Sequence, residues 1–105
     1  AQIVHTNELT IGDSRLDQDT YQIKTPSLTE TLPQKEFLLL YKLLAYPNKI
    51  FTRQQLMDEI WGLDSDTDER TIDVHIKRLR TRLETNPNFS IETIRGLGYK
   101  AVIHT

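Results

Sequence analysis

The sequence predicts an α+β fold: an N-terminal antiparallel β-sheet, three helices, and a C-terminal β-hairpin. Three observations predict it. Up to about Thr31 the chain is Thr-rich and roughly alternating, as in short strands. From Gln34 the apolar residues recur at the helical period. After Asn86-Pro87-Asn88 alternation returns on both sides of a glycine-rich turn. At 105 residues and 37% hydrophobic, the chain makes one domain with a modest single core. Residues 1–7 read as a linker or the start of an edge strand, and 8–105 as the domain.

In chain order, Glu8-Leu9-Thr10-Ile11, Arg15-Leu16-Asp17 and Tyr21-Gln22-Ile23-Lys24-Thr25 alternate, and Gly12-Asp13 and Asp17-Gln18-Asp19 are turn-like. From Gln34 to Tyr46 the residues Phe37, Leu40, Tyr41 and Leu44 share one helical face, and Pro47-Asn48 stops the run. A second, shorter helix is expected from about Arg53 to Trp61, with Leu56, Met57 and Ile60 inward, Thr52 as N-cap and Gly62 at its end. An acidic loop, Leu63, Asp64, Ser65, Asp66, Thr67, Asp68 and Glu69, leads into a third helix that either Asp66 or Asp68 can cap. Ser90-Ile91-Glu92-Thr93-Ile94 and Tyr99-Lys100-Ala101-Val102-Ile103 then form a hairpin around Arg95-Gly96-Leu97-Gly98. Three helices closed by a hairpin make a winged helix-turn-helix, in which the third helix enters the DNA major groove and the wing lies along the adjacent backbone or minor groove.

The third helix, about 69–84, carries the chemistry. Stepping 100° per residue, Ile72, Ile76, Leu79 and Leu83 fall within about 40° of one another and form an apolar seam. Facing away lie Arg70, Thr71, Val74, Lys77, Arg78 and Thr81, which supply the guanidinium forks, hydroxyl and small apolar contacts that read base edges. Arg80 and Arg82 flank the seam with the reach to meet phosphates.

The net charge of −2 argues against a nucleic-acid partner only if charge is spread evenly, and it is not. Residues 70–100 hold seven Lys/Arg against three acids, a local +4, while the remainder holds six against twelve, a balance of −6. With a Debye length of about 8 Å at physiological salt, a binding face feels mainly its own charges. The wing, about 91–103, adds Thr93, Arg95 and Lys100.

Other chemistries find little support. The chain has no cysteine, so disulfides and thiolate zinc sites are excluded. His5 and His104 stand at no metal-ligand spacing, and His75, about 60° outside the seam, reads as a helix-flank hydrogen-bond donor with no catalytic role. Asp64-Ser65-Asp66-Thr67-Asp68-Glu69 resembles a calcium loop only at its start, because the following Gly and the closing Glu are missing. Gly96 and Gly98 are assigned to turn geometry, since no Lys-Ser/Thr of a phosphate loop follows them. Trp61 reads first as a core and helix-terminus residue, with an indole N–H that can also face a ligand. No nucleophile and base pairing, acid pair or cofactor loop marks an enzyme, and no cofactor is expected. No apolar run reaches the length of a signal peptide or membrane span, so neither is expected, and a cytoplasmic location is.

The chain resembles the C-terminal winged-helix effector domain of OmpR/PhoB-type response regulators, the output half of bacterial two-component systems. The resemblance rests on Glu36-Phe37 with Leu39-Leu40, on Arg53-Gln54-Gln55-Leu56 leading to Ile60-Trp61-Gly62, on the block from Arg70 to Arg80, and on Thr93-Ile94-Arg95-Gly96-Leu97-Gly98-Tyr99. It implies a four-stranded N-terminal sheet and an upstream receiver domain, outside this chain, that answers to a sensor histidine kinase. It also implies DNA contact by Trp61, Arg70, Thr71, Val74, His75, Lys77, Arg78, Arg80, Thr93, Arg95 and Tyr99, self-association on tandem half-sites, and RNA polymerase contact through the loop from Gly62 to Glu69. Two departures stand out. Pro33 replaces the usual capping Ser or Thr of the first long helix, which then starts later or takes Pro as its first residue, and Asn48-Lys49 replaces a glycine-containing turn. The alternative reading, a winged helix that only binds proteins, calls for a third helix without an exposed basic, base-reading face.

Overall fold

The computed structural model describes residues 7–62 and 66–104. Strands β1 (Glu8–Ile11), β2 (Ser14–Asp17), β3 (Gln22–Lys24) and β4 (Thr29–Thr31) form an antiparallel meander in sequence order. Ile11 pairs with Ser14, so Gly12-Asp13 is a two-residue turn, with Gly12 at φ 57°. Leu9, Leu16, Ile23 and Glu30 stand opposite one another across the sheet and therefore share its inward face. Of the segment expected to be linker or edge strand, residues 1–6 lie outside the described residues. Asn7 is tied to the sheet, its carbonyl accepting the Gln18 N–H at 3.0 Å.

Helix α1 (Gln34–Ala45) lies against β1, the C-terminal sheet and the other helices. Phe37, Leu40 and Leu44 are buried as their spacing predicts, but Leu39, Leu43 and Glu36 are buried too, while Tyr41 is only partly covered. A helix with neighbours on several sides needs a wider apolar surface than one stripe. Pro33 is its N-cap at φ −55° and ψ 144°, outside the helix and without a side-chain cap, and Asn48 takes φ 67° in the turn that follows.

Helix α2 (Arg53–Leu56) continues as a π-helical segment (Met57–Trp61) that ends at Gly62, φ 92°. Thr52 caps α2 in a capping box: its hydroxyl accepts the Gln55 N–H at 3.1 Å, and its own N–H donates to the Gln55 side chain at 2.9 Å.

Helix α3 spans Arg70–Leu83. Neither acid offered as its cap stands at the N-cap: that residue is Glu69, whose side chain makes no capping bond, while Asp68, one position earlier, accepts the Arg70 N–H on its carboxylate at 3.1 Å. Ile72, Ile76 and Leu79 are buried and Leu83 packs against them, so the predicted phase of the helix holds.

The hairpin, β6 (Phe89–Ile94) and β7 (Gly98–Ile103), turns through Arg95-Gly96-Leu97 with Gly96 at φ 79°. It belongs to a three-stranded sheet, because Phe51–Thr52 forms a short strand, β5, on the other side of β7. That strand corrects the reading of Gly98. A Cβ there would lie 1.9 Å from the Phe51 carbonyl oxygen, so this glycine permits close approach of two backbones and is not a turn residue.

Candidate nucleic-acid interface

With the seam of α3 buried, its opposite side is set by phase alone. Arg70, Val74, Lys77, Arg78 and Thr81 are exposed and Thr71 is half-buried. Val74, 46% exposed, is an apolar side chain left in water at the centre of a basic face. Lys77, Arg78 and, on the wing, Arg95 and Lys100 make no ion pair among the described residues. Arg70 meets Asp68 only at 4.0 Å. These cations are therefore available to a polyanion without first breaking an internal pair.

Trp61 and His75 meet edge to face with ring centroids 5.1 Å apart, and the Lys35 ammonium lies 5.9 Å from the indole centre. His75 Nδ1–H donates to the Thr71 carbonyl at 2.8 Å, and Nε2 has no hydrogen-bond partner among the described residues. The α2 end and the α3 flank are thus joined by an aromatic contact beside Thr71.

Arg80 does not swing out. Its Nη2 donates to the Ile91 carbonyl and to the Thr93 hydroxyl, each at 2.8 Å, and its Nε to the same carbonyl at 3.2 Å. Arg80 and Thr93 therefore join α3 to the wing.

Two more of the expected contact residues are placed otherwise. Arg82 turns back toward the N-terminal sheet, donating to Glu30 at 2.8 Å and lying 3.4 Å from the buried Glu36 carboxylate. Its charge is engaged by two acids, one of which, Glu36, has an oxygen without a hydrogen-bond partner among the described residues. Tyr99 is 4% exposed, and the guanidinium groups of Arg53 and Arg80 lie 5.5 and 5.7 Å from its ring centre. Its hydroxyl donates to Asp73, which also accepts Arg53 Nε at 2.7 Å. Burial alone would raise the Asp73 carboxyl, but the Tyr99 and Arg53 hydrogen bonds and the Arg53 charge outweigh it and hold the pKa below the ordinary value. Burial, then the hydrogen bond to Asp73, pushes the Tyr99 phenol up, so its hydroxyl keeps its proton.

Sequence reasoning passed over Arg53 and Asp73. They come from elements 20 residues apart, and no local pattern signals such a pair. Of the loop expected to meet RNA polymerase, Leu63, Asp64 and Ser65 lie outside the described residues, while Asp66 and Asp68 are exposed and Thr67 is half-buried.

Residues 28–101 match the family model described as "Transcriptional regulatory protein, C terminal". The chain belongs to this family. Members of this type are winged-helix DNA-binding domains of OmpR/PhoB regulators, not enzymes. Similar proteins include the heme response regulator HssR of Staphylococcus aureus, 52% identical over 99 residues that make up 93% of this chain and 44% of that protein. The chain thus spans under half the length of this relative.

Two solved structures extend the comparison. The DNA-binding domain of Klebsiella pneumoniae RstA, solved in complex with the RstA box, superposes with a TM-score of 0.75 at 26% identity, covering 90% of this chain and 96% of that one. The OmpR/PhoB homologue DrrB of Thermotoga maritima gives a TM-score of 0.76 at 31% identity over 91% of this chain and 44% of that one. The family assignment makes this chain a sequence-specific DNA-binding output domain.

Arg82→Ala tests the placement of that side chain. It is expected to lower stability by about 1–3 kcal/mol, less than the loss for a fully buried pair because the guanidinium is solvent-accessible, while the salt dependence of DNA binding stays unchanged. A salt slope reduced by about 1 would show that Arg82 leaves its acids for a phosphate.

Proposed function

We propose that α3 enters the major groove of promoter DNA and that the wing lies on the adjacent backbone or minor groove. The observation that carries the reading is the exposed face of Arg70, Val74, Lys77 and Arg78, whose cations, like those of the wing residues Arg95 and Lys100, are free of close ion pairs among the described residues. In this reading Arg78 and Arg70 read base edges, Val74 meets a thymine methyl, and Thr71, Lys77, His75 and Trp61 hold phosphates or groove edges. Arg80 and Thr93 fix the wing, and Arg95 supplies its charge.

Selection of bound duplexes from a random pool, followed by titration against salt, tests the assignment. Arg78→Ala is expected to relax preference at one base pair, at a cost of about 1–3 kcal/mol in discrimination. Arg95→Ala is expected to weaken all duplexes alike and to reduce the log-log salt slope by about 1. A parent chain whose binding is insensitive to salt would favour the protein-interaction reading instead.

The whole regulator is larger than this chain. We infer a cytoplasmic bacterial protein in which an upstream receiver domain, phosphorylated by a sensor histidine kinase, controls pairing of two copies on tandem half-sites. Pairing matters because one module buries only about 600–1,000 Å² on DNA and gains from effective concentration. The acidic loop before α3 is assigned to a basic surface of RNA polymerase. Asp64→Ala combined with Asp66→Ala should lower transcription in vitro while DNA affinity holds, and unchanged output at saturating protein would leave the loop a connector.

A further inference from the structure

One acid sits on the helix that meets DNA. Asp73 lies between Ile72 and Val74 with 43% of its side chain exposed, where a carboxylate repels phosphate. As a bystander it would only weaken binding. Its surroundings show otherwise: the same oxygen of Asp73 accepts Nε of Arg53 at the start of α2 and the hydroxyl of Tyr99 on β7. Both Arg53 and Arg80 lie against the Tyr99 ring, and Arg80 is itself bonded to Ile91 and Thr93 of β6. A single connected set of side chains thus runs from α2 through α3 to both strands of the wing.

We propose that Asp73, Tyr99 and Arg53 form a positioning clasp that locks the wing to the recognition helix, so that Asp73 raises DNA affinity in spite of its charge. The inference rests on the wing contact proposed above. A wing held at a fixed angle meets the duplex together with α3 and needs no ordering on binding, whereas a loosened wing loses part of its contact energy to that ordering. The clasp residues are positioning residues and touch no base in this scheme.

The test uses this chain, the duplex obtained by selection, and the variants Asp73→Asn and Tyr99→Phe, with thermal melts confirming that each is folded at the binding temperature. Tyr99→Phe keeps the ring in the core and removes only the hydroxyl, so it carries the test if Asp73→Asn does not fold. It is expected to weaken binding about 5- to 10-fold with base preference retained. The loss should vanish in an Arg95→Ala background and add to that of Arg78→Ala, a pattern that a general loss of stability does not produce. Asp73→Asn is expected to bind more weakly although it removes a negative charge. Charge alone gives the opposite sign, tighter binding with a salt slope steeper by about 1. The clasp is overturned if Asp73→Asn binds as tightly as the parent or more so, or if Tyr99→Phe adds fully to Arg95→Ala. If Arg95→Ala by itself leaves affinity unchanged, the wing contact is what falls, and that single variant separates the two failures.

Discussion

Ile76→Ala is expected to lower the free energy of unfolding by about 2–5 kcal/mol, while Val74→Ala, two residues away on the same helix, leaves it within about 0.5 kcal/mol. Ile76 is 1% exposed in the main core cluster, so truncation removes buried methyl groups and leaves a cavity that close-packed neighbours fill only in part. A domain of this size is held by about 5–15 kcal/mol in all, and the loss is a large share of it. Val74, 46% exposed and outside the core cluster, has far less buried surface to lose. Its truncation should instead reduce affinity or preference at one thymine methyl. Thermal melts and binding titrations on the two variants therefore separate stability from recognition by helix face. If Val74→Ala is the destabilising change and Ile76→Ala the one that harms only binding, the phase of α3 is wrong and the assignment of DNA-facing residues falls with it.

What the sequence discloses about this fold is what depends on near neighbours. The seam of α3, the hydroxyl cap at Thr52, the left-handed turn residue Asn48 and the loop of the wing each follow from spacing or from the conformational preference of one residue, and the structure shows all four. The misses involve partners distant along the chain. Strand β5 is two residues long, too short for alternation to show, and exists because β7 pairs with it. The place of Arg82 on the helix points it to phosphate, and only the folded sheet reveals Glu30, 52 residues away, as its partner. Tyr99 closes the wing block that carries the family resemblance, yet its hydroxyl is engaged by Asp73, 26 residues earlier in the chain. Helical phase says which way a side chain leaves the backbone. It does not say which charge from another element waits there.

Gly98→Ala should be the most damaging single-methyl change in the domain, on the order of 3–5 kcal/mol. The added Cβ would stand 1.9 Å from the Phe51 carbonyl oxygen and 2.9 Å from the Thr52 Cα, and both are backbone atoms that no side-chain rotation can clear. Nor can β5 easily retreat. The Phe51 side chain is 3% exposed in the core, and Thr52 caps α2 through its own hydroxyl and N–H, so displacing β5 disturbs the helix that begins with Arg53. Tyr99, next to the substituted residue, and Arg53 both belong to the clasp around Asp73, so DNA affinity should fall along with stability. Gly96→Ala supplies the control. Its Cβ would meet nothing within 4 Å, and its only penalty is the left-handed backbone at φ 79°, about 1–2 kcal/mol. Denaturant melts should therefore rank Gly98→Ala well below Gly96→Ala in stability. If the two lose the same amount, β5 and β7 do not approach as closely as described, and the third strand of the wing sheet would have to be given up.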